Sequence, residues 1–250
     1  MDADRFLGML DRRELKSEKQ RAHSRKVCQS VFDRVSLTSL YHLTKKGFFR
    51  ELKSVVSEGK EAKVFHGVGN HGDVAVKIYM VETSDFRSMS SYVKGDPRFG
   101  GWANRRQLVN LWAQKEYKNL MRVCEKISCP KPLGFHKNVL VMEFIGEEGL
   151  PAPKMKDVEL ENPKEYCEKL ISYMREMYKV RLVHSDLSEY NVLDYRGEPY
   201  IIDFSTGILL DHPKASEFLE RDIGNIVGFF SKKGVEVDYS RVYKEVTDGV

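Results

Sequence analysis

The apolar residues Val31, Phe32, Val35, Leu40 and Leu43 recur at helical spacing and predict a helix that stops near Gly47. The period then changes. Residues 49–56 and 62–68 read as strands, and the turn Gly69-Asn-His-Gly72 leads into a third strand over 74–79. The stretch 82–100 holds Ser84, Ser88, Ser90, Ser91, Gly95 and Pro97 and is expected to be a mobile loop. A long helix is expected over 102–125, with Leu108, Val109, Trp112, Leu120 and Met121 on its apolar stripe. Val139-Leu-Val-Met142 reads as a buried strand, 146–153 as a connector, and Tyr166, Leu170, Ile171 and Met174 mark another helix. Two short strands, 192–195 and 200–202, flank the turn Arg196-Gly197, and the remainder is expected to be helical. This order predicts an α+β chain in three parts. An N-terminal helical and basic extension covers 1–47. A lobe of antiparallel sheet plus one long helix covers 48–143, and a mostly helical lobe covers 144–250. The lobes join near Glu143 to Gly149, and a cleft between lobes is a common ligand site.

Composition narrows the partners. With 250 residues, 41% apolar and 31% charged, the chain has the material for two lobes. A net charge of +4 is too small to argue for nucleic acid by itself. Arg12, Arg13, Lys16, Lys19, Arg21, Arg25 and Lys26 offer cations that could touch rRNA phosphates. Asp11, Glu14 and Glu18 interrupt them, as in an ordinary solvated tail. No apolar run approaches the ~20 residues of a membrane span, and the polar start has no signal-peptide core. Cys28, Cys124, Cys129 and Cys167 lack zinc-site spacing, and a reducing cytoplasm is expected.

Six groups of residues carry candidate chemistry. In Ser57-Glu-Gly-Lys-Glu-Ala62, Gly59 allows a tight turn or a close backbone approach to a phosphate, with Ser57 and Lys60 adding a hydroxyl and a charge; an ordinary hairpin uses the same residues. Lys77 interrupts the apolar strand Val74-Ala-Val-Lys-Ile, opposite in facing to Val76 and Ile78. It needs an anion if its face lines the cleft, and none if that face is exposed. Glu116 falls in the apolar stripe of the long helix, where a carboxylate needs a partner unless it reaches solvent, and Lys77 is the candidate. Such a pair would hold the lysine against ATP phosphates.

His184-Ser-Asp-Leu-Ser-Glu-Tyr-Asn191 fits His-x-Asp-x-x-x-x-Asn. Phosphoryl transfer needs a carboxylate near the acceptor hydroxyl, suited to Asp186, and oxygen ligands for a divalent metal, suited to Asn191. His184 is expected to brace the loop. Asp203 ends the strand Tyr200-Ile-Ile and can reach a metal that bridges phosphates; standing alone, it would cap a turn. In Val141-Met-Glu-Phe-Ile-Gly146, the Glu143 carbonyl and Ile145 N–H are expected to pair with an adenine edge, with Met142 behind them. The order of the six along the chain carries more than any one of them.

Ser57-Glu-Gly-Lys-Glu-Ala62, the 184–191 loop and Ile201-Ile-Asp203 together resemble the signatures of the RIO atypical serine kinases. The Leu-Ser-Glu-Tyr wording and Asp211-His-Pro213 are nearer the first RIO subfamily than the second. The resemblance covers about residues 30–235. It implies a trimmed, two-lobed protein-kinase-like fold: Gly-x-Gly-x-x-Gly is absent, Asp203-Phe-Ser replaces Asp-Phe-Gly, and no Ala-Pro-Glu follows. Neither a conventional activation segment nor peptide-docking subdomains are expected. The resemblance further implies ATP with Mg²⁺ or Mn²⁺, and autophosphorylation on a serine, with Ser88, Ser90 or Ser91 as candidates. It implies ATPase behaviour through an aspartyl-phosphate on Asp203, and a role on the precursor of the small ribosomal subunit, with its rRNA and proteins. Two alternatives stay open: a small-molecule phosphotransferase of the aminoglycoside or choline kinase type, and an assembly factor that uses ATP only as a conformational ligand. The oligomeric state is left open.

Overall fold

Strand-forming segments of the first half combine into one five-stranded antiparallel sheet. In the computed structural model, which describes residues 33–82 and 84–248, its order is β1-β2-β3-β5-β4. The strands are β1 Glu51–Glu58, β2 Ala62–Val68, β3 Asp73–Tyr79, β4 Pro132–His136 and β5 Val139–Glu143. The basic segment 1–27 and the first residues of the expected N-terminal helix lie outside the described residues. What is described of that helix is α1, Arg34–Lys45, whose N-cap Asp33 accepts the Ser36 N–H at 2.7 Å. Leu40 and Leu43 of α1 share a buried cluster with Phe49, Leu52, Val76, Ile78, Val139 and Val141, so α1 closes one face of the sheet and meets it at β4 and β5. Strand alternation turns Ala75, Lys77 and Tyr79 to the other face.

That second face meets the long helix α3, Arg105–Val123, capped by Asn104. Between β3 and α3 the sequence predicts a mobile loop, and here the structure differs: Phe86–Val93 is a helix, α2. Asp85 caps it through the N–H groups of Arg87 and Ser88, while Met89 and Val93 are buried beside Trp112. The serines and Gly95 suggested a loop, but Phe86, Met89 and Val93 fall on one helical face behind an N-cap aspartate. The strand β4 was not expected either, because its Pro132 and Gly134 weaken the strand signal.

After β5 the chain makes the hairpin β6 (Gly146–Glu147) and β7 (Leu150–Pro151) and a 3₁₀ turn at Met155–Asp157, then enters the helical lobe. That lobe holds α4 Pro163–Lys179, α5 Ala215–Lys232 and α6 Tyr239–Thr247, with the strands β8 Leu182–Val183, β9 Val192–Tyr195, β10 Glu198–Ile201 and β11 Ile208–Leu209. Its core runs through Leu170, Met174, Leu187, Ile223 and Phe230, and reaches Ala75 and Leu120 of the sheet lobe beside the cleft. Among the described residues no helix is long and apolar enough to cross a membrane.

Candidate active site

The cleft between the sheet and the helical lobe encloses about 330 Å³ and gathers most of the expected residues. Ser57, Gly59, Lys60, Lys77, Met142, Glu143, Ile145, Asn191 and Asp203 all line it. Glu116 stands behind Lys77, and Asp186 is joined to the cleft through Asn191. A wider groove of about 1140 Å³ between α4 and α6 contains none of these residues.

Lys77 is 6% exposed and its ammonium sits between two carboxylates, 2.9 Å from Glu116 Oε1 and 2.8 Å from Asp203 Oδ1. Burial alone would drive Lys77 toward neutrality. Asp203 and Glu116 outweigh it and hold the lysine above its ordinary value, so it is charged. Burial likewise works against ionised Asp203, but Lys77 and the Ser205 hydroxyl, which donates to Oδ1 at 2.7 Å, keep that carboxyl well below the usual range. Glu116 is fully buried, which raises its carboxyl despite Lys77, and the Tyr79 hydroxyl donates to its second oxygen. A strand and a helix 39 residues apart in sequence are thus pinned by one cation.

The loop after β8 is set by the helix below it. Ser185 takes a positive φ of 68°, and its N–H and that of Leu187 donate to buried Asp222 of α5 at 2.7 and 2.9 Å. Asn225 of α5 donates to the Leu187 carbonyl at 3.0 Å, and Arg221 to that of Ser185. Asp222 was missed from sequence. Yet it stands in the apolar stripe Phe218, Leu219, Ile223, Ile226, and a carboxylate there asks for a partner as Glu116 did. So fixed, the loop presents Asp186, whose Oδ2 accepts the Asn191 amide at 3.0 Å. Burial first, and then the Asp203 charge, raise the Asp186 carboxyl above its ordinary value.

His184 is 1% exposed and its Nε2–H donates to the Ile202 carbonyl at 3.0 Å, while Thr206 donates to the His184 carbonyl at 3.1 Å. The ring braces the loop. Its Nδ1 has no hydrogen-bond partner among the described residues, so a second proton would be a buried, unpaired charge. Burial lowers its pKa from 6.5 to about 4. The unfolded chain therefore takes up this proton first as pH falls, and the native state loses stability between those two values. The full shift corresponds to about 3 kcal/mol. His184→Gln, which keeps a donor toward Ile202, should flatten the pH dependence of the unfolding free energy between pH 6.5 and 4 by that order. Parallel slopes for the two proteins in urea titrations would contradict it.

The oxygens suit a hard divalent cation shared with phosphate. Asn191 donates its amide nitrogen to Asp186 Oδ2 and to the Asp186 carbonyl, at 3.0 and 2.9 Å, which leaves its carbonyl oxygen as the coordinating atom. Lys77 and Ser205 both occupy Asp203 Oδ1, which leaves Oδ2. Among the described residues no three or more His, Cys, Asp or Glu could enclose a metal. A metal held by Asn191 and Asp203 would thus complete its shell with phosphate and water, as Mg²⁺ commonly does.

The three candidate serines do not line this cleft. They lie on α2, where the Ser90 hydroxyl donates to the Arg87 carbonyl at 2.9 Å and that of Ser91 to the Ser88 carbonyl at 2.7 Å.

A family model described as the RIO domain matches residues 63–242. The RIO-type serine/threonine-protein kinase Rio1 of Haloferax volcanii is 39% identical over 98% of this chain and 87% of its own length. The protein of the same name from Methanocaldococcus jannaschii is 40% identical, over 93% and 81%. Among solved structures, the Rio2 kinase of Chaetomium thermophilum, in an ADP/Mg²⁺-phosphoaspartate complex, superimposes with a TM-score of 0.66. That match covers 86% of this chain and 67% of the other at 22% identity, and so speaks to the fold: a two-lobed, trimmed kinase-like architecture.

Proposed function

This chain belongs to the RIO domain family, and on that basis we propose that it is an atypical serine/threonine protein kinase that uses ATP and a divalent metal. The observation that carries the proposal is the Lys77 ammonium held between Glu116 and Asp203 at the wall of the cleft that Asn191 also lines. Lys77, with the Gly59 turn, Ser57 and Lys60, holds the phosphates. The backbone of Glu143 and Ile145 holds the adenine edge over Met142. The Glu143 side chain is engaged elsewhere, accepting the Lys131 N–H at 3.2 Å. Asn191 and Asp203 hold Mg²⁺ or Mn²⁺, which when bound neutralises phosphate charge.

Asp186 orients the acceptor hydroxyl and takes its proton. The hydroxyl oxygen forms the new bond to the γ-phosphorus, the bond to the β–γ bridging oxygen breaks, and ADP leaves with that electron pair. Because the Asp186 carboxyl is raised, turnover should fall on the acid side at a higher pH than a free aspartate would give.

Asp203 offers a second acceptor. Its side chain lines the cleft and is held ionised, so one carboxylate oxygen attacking the γ-phosphorus would give an aspartyl-phosphate and ADP. Water attacking that phosphorus returns the carboxylate and releases phosphate, which is net ATP hydrolysis. The phosphoaspartate of the Chaetomium kinase complex supports this branch. A place in the cytoplasm and work on the precursor of the small ribosomal subunit go with the family reading.

Incubation with γ-labelled ATP and Mg²⁺ tests the proposal. It predicts acid-stable label on a serine of the protein, hydroxylamine-labile label on Asp203 and released phosphate. Label passed to a small metabolite, with none on protein, would point instead to a small-molecule phosphotransferase.

A further inference from the structure

One buried lysine takes no part in the chemistry above. Lys115 precedes Glu116 on α3, is 0% exposed, and donates from Nζ to the carbonyls of Ser205, at 2.9 Å, and Gly207. Burial, and then nearby Arg98, push its pKa well below the ordinary lysine value, and an amine keeps the two N–H donors these carbonyls need. Its Nζ also lies over the ring of Trp112, 5.3 Å from the centroid. One turn further along α3, Asn119 donates its amide to the carbonyls of Phe204 and Gly207, each at 2.8 Å. The orientation of that amide is fixed from behind. Arg98 Nη1 donates to Asn119 Oδ1 at 2.7 Å, and buried Asp96 holds Arg98 by its Nε and Nη2 groups. A Cβ at 207 would stand 2.8 Å from the Asn119 amide nitrogen and push that amide aside.

A buried lysine whose hydrogen bonds go to backbone carbonyls is a costly way to stabilise a core, whether it carries its proton or gives it up, and apolar packing would do as well. What it does secure is position. The carbonyls it gathers belong to the segment directly after Asp203, which leaves β10 at a positive φ of 62°. We propose that Lys115 and Asn119 are positioning residues that latch the 203–207 segment to α3, holding Asp203 in the geometry that receives the metal. On this arrangement α3 carries two coupled fixings: Glu116 orders Lys77, while Lys115 and Asn119 on either side of it order the loop bearing Lys77's other partner. The inference rests on the proposed kinase function and concerns how its metal site is built.

The test uses the full chain and measures affinity for a non-hydrolysable ATP analogue by calorimetry, with and without Mg²⁺, together with the Mg²⁺ concentration that half-activates turnover. Lys115→Met, Asn119→Ser and Gly207→Ala break the latch from its two sides. Each should leave metal-free nucleotide affinity within about threefold, reduce the gain that Mg²⁺ gives by roughly tenfold or more, and raise the half-activating Mg²⁺ concentration to match. Lys115→Gln, which keeps one donor, should fall between Lys115→Met and the wild type. Should Lys115→Met fail to fold, Asn119→Ser and Gly207→Ala decide the matter. Variants that melt at lower temperature but keep the wild-type response to Mg²⁺ would make the latch a stabilising feature only and overturn the inference. A wild-type protein whose nucleotide binding ignores Mg²⁺ would overturn the kinase reading itself.

Discussion

Asp186→Ala is expected to lower the rate of phosphoryl transfer by ~10²–10⁴-fold, the usual span for a lost general base. Nucleotide affinity should stay within a few-fold, because Asp186 is not among the side chains that line the nucleotide cleft. The loop should survive the change. Its anchors are Asp222 beneath Ser185 and Leu187, and Asn191 keeps its bond to the residue 186 carbonyl when the side chain is cut away. Rate and affinity are therefore separable in this variant, and single-turnover kinetics beside calorimetric titration with ATP separate them. Equal rates for wild type and variant would remove Asp186 from the mechanism.

The second large effect is expected at Asp203. Asp203→Asn keeps the shape of the side chain and removes the charge that a metal needs. Loss of turnover on the order of 10³-fold follows from the several kcal/mol that a metal contributes to transition-state charge. The hydroxylamine-labile phosphoenzyme should vanish altogether, since an amide cannot take its place as acceptor. Stability should fall modestly, because the substitution removes a carboxylate that Lys77 and Ser205 hold ionised, while the Lys77–Glu116 pair limits the loss. Lys77 keeps Glu116 at 2.9 Å, so the substitution leaves one buried cation facing one buried anion, whereas Lys77→Met would leave two carboxylates facing each other. A small drop in melting temperature together with a far larger loss of turnover is the expected pair of results, read by thermal unfolding and by phosphate release. Full turnover in Asp203→Asn would dismiss this aspartate as metal ligand and as acceptor.

The parts of the site that sequence made legible share one property. Each is a polar residue in a place where the local pattern demanded an apolar one, or a spacing that lets one loop carry two functions. Lys77 in a strand of Val, Ala and Ile, and Glu116 in the stripe with Trp112 and Leu120, disclosed themselves as a pair before any contact was visible. Asp222 and Lys115 obey the same rule. They were passed over because no short motif surrounds them, although Phe218, Leu219, Ile223 and Ile226 frame Asp222 as clearly as any residues frame Glu116. The strands and long helices were readable from their periods. Helix α2 was not, since its serines and flanking glycine outweighed an amphipathic face of only three side chains, Phe86, Met89 and Val93, and a single cap. Strand β4 and the two-residue strands β8 and β11 were invisible for a different reason: their pairing partners, not their own residues, make them strands. The arrangement of carbonyls around Lys115 is a tertiary fact, between residues 90 and 92 positions apart, and no local pattern announces it.

The proposed chemistry requires that Lys77, Asp203, Asn191 and the Gly59 turn face one metal-bound triphosphate. A crystal structure of the chain soaked with a non-hydrolysable ATP analogue and Mn²⁺ decides the point, because manganese reports its own position by anomalous scattering. The expected result is a manganese peak about 2.1–2.3 Å from oxygens of Asp203 and Asn191, phosphates against Lys77, and the γ-phosphorus turned toward Asp186. A nucleotide bound outside the cleft, or manganese that touches neither side chain, would contradict it.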